Sequence, residues 1–316
     1  MEDILLSAIV CTLDRSQYLN DCLQALTRQC LETHKFEVII VDNGSVDDTR
    51  AVAEHYCSQQ PNFRYVYEDR KGLAVARNAG VAASRAEIVA FTDDDAQPEP
   101  SWAERICNRF ATLSPEVAVL GGEVVPIWEE PRPLWLTDAL LRPLSAGLMW
   151  GPIARFLRPG EWLVEVNTAY RKMLLTQYGG FPESLGRIGE SLLSGEGCIN
   201  LVLERAGYGA FYDPEILVGH SIPASRLKRS WFRRRAFWQG ASLAIVKRYL
   251  DAAEQQFSLP PDRQRSEQWR EIRVPLSPSV WADLFDDDSA MPLEQQLNYI
   301  EDLGFLLETQ SVIAGR

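Results

Sequence analysis

The sequence predicts an α/β protein: a mostly parallel, mixed sheet flanked by helices, with a helical extension at the C-terminus. Apolar runs of strand length alternate with segments of helical periodicity through the first 122 residues, and this alternation is typical of parallel sheets with crossover helices. A second observation is that polar residues directly follow several apolar runs. Ligands of parallel sheets bind at the carboxyl ends of the strands, so these residues predict where a ligand lies.

The predicted elements follow one another in a regular order. A helical stripe within the first helix consists of Leu19, Cys22, Leu23, Leu26 and Cys30. Strands are predicted at 4–11, 37–45 (running into a turn), 64–68 and 87–95, and helices at 18–30, 47–56, 72–84 and 102–113.

Composition excludes several classes of protein. The 316 residues are 46% apolar and 24% charged, which is ordinary for a globular protein, and the net charge of −12 argues against a nucleic-acid binder. The six cysteines show no metal-ligand spacing, which favours a reducing cytosol. The N-terminal apolar run is too short for a signal peptide, and no stretch approaches 18 apolar residues. We therefore expect a soluble, cytoplasmic protein, which can still lie peripherally on the inner face of a membrane.

Three consecutive carboxylates, Asp93 to Asp95, follow the buried-strand pattern EIVAF. Like charges repel and lose hydration when protein closes over them, so a positive partner is expected. Hard divalent cations bind one or two carboxylates together with phosphate oxygens. The triplet therefore predicts a site for a metal ion and a diphosphate. A second triplet, 286–288, precedes an amphipathic segment and is expected to stabilise a helix N-terminus.

The first two predicted strands also end in polar residues, at Thr12 to Asp14 and at Asp42 to Gly44. Taken alone, Asp42 and Asp47 are typical of a turn and a helix N-cap. Three polar strand ends in one sheet favour a ligand site instead.

Four segments, SAIVCTLDR, EVIIVDNGSVDDT, KGLAVARNAG and FTDDDAQPEPSW, resemble in order and spacing the inverting glycosyltransferases of family 2. The resemblance continues through EVNTAYRK, GGFPESLGR, SGEG and YDPEILVGH, and covers roughly residues 4–240. It implies the GT-A (nucleotide-diphospho-sugar transferase) fold. A catalytic domain is then expected at 1–222, with a nucleotide-binding half (1–122) and an acceptor half (123–222), followed by a basic amphipathic segment and helical extension (223–316).

The resemblance also implies residue roles on the donor side. Thr12 and Asp14 would lie beside the nucleotide base, and Asp42 would accept a hydrogen bond from a ring N–H, which favours UDP- or dTDP-sugars. Arg77 would approach the nucleotide, with Lys71 as a second cation, although Arg77 as an ordinary surface arginine is the alternative.

On the metal side, Asp93 and Asp94 would approach the ribose and the metal, and Asp95 would bind Mn²⁺ or Mg²⁺ directly. His220 ends the segment DPEILVGH, and it either joins Asp95 on the metal or is an ordinary core or surface imidazole. The remaining histidines, His34 and His55, are expected at the surface.

On the acceptor side, Asn167 is either a hydrogen-bond donor beneath the sugar or a buried strand asparagine. The family usually keeps its general base in a Glu-Asp pair, whereas Gly197 follows Glu196 here. Glu196 is therefore the expected base, with Glu190 in reserve.

These roles imply an inverting transfer from a nucleoside-diphosphate sugar to a hydroxyl of a glycan or lipid-linked acceptor, in polysaccharide or glycoconjugate synthesis. A nucleotidyltransferase is disfavoured because TLDRSQY, after the first strand, contains no glycine for a phosphate loop. A non-catalytic sugar-nucleotide or glycan-binding module on the same fold remains an alternative.

Residues 226–248 are rich in basic side chains interleaved with aromatic ones, and no acid occurs between 221 and 250. Three functions fit this pattern: a solvated basic helix, peripheral contact with an anionic membrane, or recognition of the donor diphosphate. The basic residues are Arg226, Lys228, Arg229, Arg233, Arg234, Arg235, Lys247 and Arg248.

Overall fold

The computed structural model describes residues 4–189, 191–260, 284–285 and 291–310, except for the side chain of Glu196. Glu190 and the second acidic triplet at 286–288 lie outside the described residues.

The first third of the chain alternates strands and helices. Strands β1 and β2 are almost entirely buried, as expected for parallel strands covered by helices on both faces. The elements are β1 (Leu6–Thr12), α1 (Ser16–Thr27), β2 (Phe36–Asp42), α2 (Thr49–Gln59), β3 (Phe63–Tyr67), α3 (Leu73–Ala83), β4 (Ile88–Asp93), β5 (Ala96–Pro98) and α4 (Trp102–Thr112). The predicted alternation of strands and helices is therefore confirmed.

The later elements complete the sheet and add a helical extension. They are β6 (Val117–Trp128), β7 (Arg155–Phe156), β8 (Thr168–Arg171), α5 (Lys172–Gln177), α6 (Ile199–Arg205), β9 (Gly209–Ile222), α7 (Arg229–Gln256) and α8 (Leu293–Thr309). Short 3-10 turns lie at Glu165–Asn167, Glu196–Cys198 and Ala224–Arg226, among others.

The described strands form one mixed sheet in the order β3-β2-β1-β4-β8-β6-β9-β5, with β7 beside β9. Strands β1 to β4 are parallel to one another, whereas β8 is antiparallel to β4 and β6. Thr12 pairs in register with Asp42, and Cys11 pairs with Asp93. The ends of β1, β2 and β4 therefore meet at one edge, as the predicted α/β fold requires.

One detail of the predicted first helix is wrong. Leu19, Cys22, Leu23 and Leu26 are buried along α1, but the helix ends at Thr27. Cys30 consequently lies beyond the helical stripe and is exposed. Its backbone N–H donates to the carbonyl of Pro100 instead of continuing the helix.

Helices α7 and α8 pack very closely through two glycines. A Cβ added at Gly240 would lie 1.8 Å from the carbonyl oxygen of Glu301, and one at Gly304 would lie 2.0 Å from that of Phe237. Further along α7, Val246 joins the core that also contains α6. The division at residue 222 stays a prediction. Among the described residues, no helix has the length and apolar character needed to cross a membrane.

Candidate donor and metal site

Asp93, Asp95 and His220 meet at the carboxyl edge of the sheet. Asp93 ends β4, and the antiparallel pairing of β5 with β9 places Ala96 opposite His220. One ligand atom from each of the three residues lies within 4.8 Å of the others. Two carboxylate oxygens and an imidazole nitrogen are a donor set that suits a divalent cation. The cluster contains Asp95, the predicted direct ligand, Asp93, which is predicted to approach the metal, and His220, for which the metal role is one of two interpretations.

His220 is buried and contacts Asp95 directly. Its Nε2 lies 3.1 Å from Asp95 Oδ1. Its Nδ1 is also buried and has no hydrogen-bond partner among the residues that the structure describes. Because buried polar atoms normally have a partner, this nitrogen is consistent with a site that receives a further group. Of the two interpretations of His220, the metal-side one therefore has structural support, whereas His34 and His55 are exposed as expected.

Arg15 supplies the positive partner that the acidic triplet requires. Its Nη1 lies 2.7 Å from Asp94 Oδ1, and its Nη2 lies 2.7 Å from Asp95 Oδ2. Arg226 adds a second guanidinium 3.4 Å from the same Asp95 oxygen. Sequence reasoning missed the role of Arg15, although this residue lies in the short loop between β1 and α1. Attention to cations as well as acids at the strand ends would have found it.

Burial and the neighbouring charges shift the pKa values of Asp94 and Asp95 in opposite directions. Burial raises the pKa of Asp94 to about 7, because desolvation and repulsion by Asp95 together outweigh attraction to Arg15. Burial also acts on Asp95, but His220, Arg15 and Arg226 lower the pKa of Asp95 well below its usual value. Asp95 is consequently the charged member of the pair at neutral pH, as a direct metal ligand must be.

Arg77 lies behind the predicted metal site. The side chain projects from α3, is almost fully buried, and its Nη2 lies 3.2 Å from Asp93 Oδ1. The alternative of an ordinary surface arginine is therefore wrong. Arg77 orients a predicted metal ligand, and its contact with the nucleotide stays a prediction.

The nucleotide base is predicted to bind where β1 and β2 end, and hydrogen bonds hold the backbone that follows these two strands. Asp42 accepts hydrogen bonds from the backbone N–H of Ser45 and the hydroxyl of Tyr65, both at 2.8 Å. Asp14 has a left-handed backbone (φ 52°), and its Oδ1 accepts from the N–H of Val46 at 2.7 Å. Asp42 is buried beside Thr12, whereas Asp14 is exposed. A carboxylate has about four lone-pair positions, so Asp42 retains accepting capacity for a base N–H.

Asn43 and Lys71 join the end of β2 to the loop before α3. Asn43 donates to the carbonyls of Glu68 and Arg70 and accepts from the N–H of Gly72 at 2.8 Å. The Lys71 ammonium donates to the carbonyl oxygen of Asn43 at 3.0 Å and to that of the following glycine at 2.7 Å. Lys71 therefore lies at the base-binding end, with carbonyl oxygens as its partners.

On the acceptor side, Asn167 is a structural residue. Its Oδ1 accepts from the indole N–H of Trp102 at 2.9 Å, and its Nδ2 donates to the carbonyls of Glu123 and Ile216 at 2.9 and 2.8 Å. Both amide hydrogens thus bind the protein, so the buried-asparagine interpretation is the one that the structure supports. The backbone of Glu196 lies in a 3-10 turn at the start of α6.

The basic stretch divides between the site and the surface. Arg226 is buried against Asp95, and Arg233 is buried with its Nη2 2.9 Å from Gln296 Oε1. Lys228, Arg234 and Arg248 are exposed. Among the aromatic residues of the stretch, Phe232 is buried, and Trp231, Phe237 and Trp238 are partly buried. One end of the stretch therefore faces the predicted diphosphate site.

Relatives and solved structures match this chain. It is 24% identical over 251 residues to a glucosyl-dolichyl phosphate glucuronosyltransferase of Haloferax volcanii, covering 76% of each chain. It is 28% identical over 230 residues to a pre-mycofactocin glycosyltransferase of Mycobacterium tuberculosis, covering 72% of this chain and 46% of that one.

Two solved structures share the fold. The mannosyltransferase PcManGT of Pyrobaculum calidifontis, in complex with GDP-Man and Mn²⁺, has a TM-score of 0.58 at 19% identity, covering 98% of this chain and 88% of that one. Residues 1–349 of TarS from S. aureus, in complex with UDP, have a TM-score of 0.53 at 18% identity, covering 99% and 92%. The predicted GT-A fold is thereby confirmed.

The family model described as glycosyl transferase family 2 matches residues 7–149. This range contains β1 to β4, the acidic triplet and Arg15. The match covers less than half of the chain; together with the relatives, it shows that the chain is a glycosyltransferase similar to those of family 2.

Proposed function

We propose that this protein transfers a sugar, with inversion, from a nucleoside-diphosphate sugar to a hydroxyl acceptor at the carboxyl edge of the sheet. The observation that carries the proposal is the convergence of Asp93, Asp95 and His220 within 4.8 Å. When bound there, Mn²⁺ or Mg²⁺ would act as a Lewis acid that neutralises charge on the leaving diphosphate.

The donor is proposed to be a UDP- or dTDP-sugar. Asp42 accepts hydrogen bonds only, and a ring N–H of uracil or thymine is the complementary donor. Thr12 is the last residue of β1, and Asp14 lies in the loop that follows, so both flank this position. Support also comes from solved structures of the same fold, which contain UDP or UDP-GlcNAc in TarS, although PcManGT contains GDP-Man.

Arg15 and Arg226 are proposed to bind the donor diphosphate. Both guanidinium groups already contact Asp95, so they lie beside the predicted metal position. Planar guanidinium groups suit bidentate contacts with phosphate oxygens. A bound diphosphate would also supply these cations with part of the negative charge that the carboxylates of Asp94 and Asp95 now supply.

Glu196 is proposed to act as the general base, with Glu190 as the reserve. It would take the proton of the acceptor hydroxyl while the oxygen attacks the anomeric carbon from the face opposite the diphosphate. The bond between that carbon and the phosphate oxygen breaks, and the nucleoside diphosphate leaves with the electron pair. A glycan or lipid-linked acceptor is proposed, and one relative bears the name glucosyl-dolichyl phosphate glucuronosyltransferase.

We also propose that the exposed basic residues of 226–248 contact an anionic membrane when the acceptor is lipid-linked. Lys228, Arg234 and Arg248 are exposed along or beside α7. Exposed cations near a membrane surface each contribute about 1 kcal/mol of attraction to anionic lipid.

A thermal-shift panel with UDP, dTDP, GDP and their sugar conjugates, with and without Mn²⁺, tests the proposed donor site. We expect UDP or dTDP to stabilise the protein only when Mn²⁺ is present, and donor hydrolysis to stop on addition of a chelator. Stabilisation without measurable donor hydrolysis would favour a binding module on this fold. No stabilisation by any nucleotide would contradict the proposed site.

A further inference from the structure

A carboxylate occupies the space that a side chain at residue 197 would fill. A Cβ built on Gly197 would lie 2.0 Å from Glu165 Oε1, 2.7 Å from Glu165 Cδ and 2.9 Å from Glu165 Oε2. The three nearest atoms thus all belong to one carboxyl group. Because real Cβ contacts are essentially never this short, a side chain at 197 and the Glu165 carboxyl in this position exclude each other, and the flexible Glu165 side chain would have to shift to admit one.

Glu165 lies at the edge of the sheet that carries the predicted metal site. It begins the 3-10 turn Glu165–Asn167, directly before β8. Since β8 runs antiparallel to β4 and Thr168 pairs with Phe91, this turn continues beside the end of β4, where Asp93 lies. The Glu165 backbone therefore lies at the same sheet edge as the predicted metal ligands.

Glu165 is partly exposed, and a buried tyrosine lies behind it. The hydroxyl of Tyr170 donates to Glu165 Oε1 at 3.4 Å, and Tyr170 itself is fully buried. Burial and the nearby Glu165 charge raise the pKa of Tyr170, which keeps its hydroxyl protonated as a donor. A carboxylate has about four lone-pair positions, so Glu165 can accept a hydrogen bond from a ligand in addition to those it accepts from the protein.

Gly197 follows Glu196 in the turn Glu196–Cys198. The Glu165 carboxyl therefore packs against the backbone next to the proposed base. The structure therefore brings a second acid, from a distant segment, to the turn that contains Glu196.

We propose that Glu165 is the second carboxylate of the acceptor site, and that it accepts a hydrogen bond from the acceptor and orients it for attack. This inference rests on the proposed function. The proton of the attacking hydroxyl goes to Glu196, the new bond forms between its oxygen and the anomeric carbon, and the diphosphate leaves. Glu165 gains and loses no proton in this step.

Moving the carboxylate tests the proposal. Glu165→Ala should lower kcat/KM for the acceptor about 10²-fold, the typical effect of misplacing a substrate by about 1 Å, while binding of UDP and Mn²⁺ is unchanged. The double variant Glu165→Ala/Gly197→Asp should regain activity to within about tenfold of wild type, because the Cβ of the new side chain lies 2.0 Å from the position of Glu165 Oε1. The backbone of Gly197 is outside the left-handed region, so it accepts aspartate.

Two controls make the outcome specific. Gly197→Asp alone should be impaired, because its Cβ displaces the Glu165 carboxyl from its position. Glu165→Gln keeps the size of the side chain, so a loss of acceptor kinetics in that variant reports on the carboxylate and not on packing.

Wild-type acceptor kinetics in Glu165→Ala and Glu165→Gln would overturn the proposal. So would a double variant that binds UDP with Mn²⁺ normally but is no faster than Glu165→Ala. If every variant, and wild type, fails to bind the nucleotide, the proposed donor site has failed instead. If Glu196→Gln keeps the full rate while the carboxylate swap works, the base assignment alone is wrong.

Discussion

Arg15 holds Asp95 at 2.7 Å and reaches Asp94 at the same distance with its other terminal nitrogen. A protein cation therefore lies against a carboxylate proposed to bind a metal cation. Without Arg15, two almost fully buried acids would face each other with less compensation. Arg15 and a bound metal thus stabilise the same negative charge.

Replacing Arg15 with Gln should lower the melting temperature in chelator and enlarge the stabilisation that Mn²⁺ produces. Loss of one partner of a buried pair costs about 3–5 kcal/mol, and the lower end applies because Arg15 is partly exposed. Thermal unfolding with chelator and with Mn²⁺ measures both effects. Arg109→Gln is the matched control, since it breaks a 2.7 Å pair with the buried Asp213. An equal Mn²⁺ shift in both variants would contradict the prediction.

Glu37 should make the fold sensitive to acid. Its side chain is fully buried, and although burial disfavours the charge, hydrogen bonds from Ser7 and Arg85 and attraction to Arg64 lower the pKa of Glu37. A depressed pKa stabilises the fold above its unfolded value of about 4.3, and this contribution is lost as the pH falls through the folded value.

The destabilisation caused by Glu37→Gln should therefore be largest near pH 7 and shrink below about pH 4.5. Denaturant unfolding of both proteins across this range measures it. Glu54→Gln, which removes an exposed pair with Arg50, should have little effect at any pH. A Glu37→Gln effect that is constant from pH 7 to pH 3.5 would show the prediction to be wrong.

The proposed membrane contact predicts binding to anionic vesicles that weakens with salt. Lys228→Gln/Arg234→Gln should reduce flotation with such vesicles, because both residues are exposed in the basic stretch. Arg28→Gln/Arg158→Gln removes two exposed charges elsewhere and should leave flotation unchanged. Flotation that is indifferent to lipid charge would exclude this contact.

Glu196→Gln should bind UDP and Mn²⁺ like wild type but transfer sugar about 10²- to 10⁴-fold more slowly, the usual cost of losing a base. Single-turnover kinetics separate the two quantities. A normal rate would move the base assignment to Glu190. Loss of nucleotide binding would instead make Glu196 a donor-side or structural residue.

Local pattern and strand-end chemistry were sufficient to predict much of the fold and an acidic metal site at the sheet edge, and the resemblance to family 2 added the individual ligand roles, which stay predictions. Asp93 and Asp95 come at the end of a strand that the apolar pattern already indicates, and His220 lies near the end of β9. The end of α1 was missed because helical periodicity continues to Cys30 after the backbone has left the helix.

The contacts that determine the role of a site residue join segments that are distant in sequence. No local sequence pattern specifies these contacts. Asn167 is committed to Trp102 and to carbonyls that lie on β6 and β9. The Glu165 carboxyl fills the space beside Gly197 only because the turn before β8 packs against the turn before α6. Such contacts between segments that are distant in sequence can be recognised only in the folded structure.

Calorimetric titration of UDP in the presence of Mn²⁺ tests most directly whether Asp95 is a metal ligand of the donor site. Wild type should bind UDP and lose the binding in chelator. Asp95→Ala and His220→Gln should weaken it at least about tenfold, which is the range for loss of metal-site residues. Asp213→Asn, a buried acid outside the cluster, and Asp287→Ala, in the second acidic triplet, should bind like wild type. Unchanged affinity in Asp95→Ala, or an equal loss in Asp287→Ala, would contradict the account.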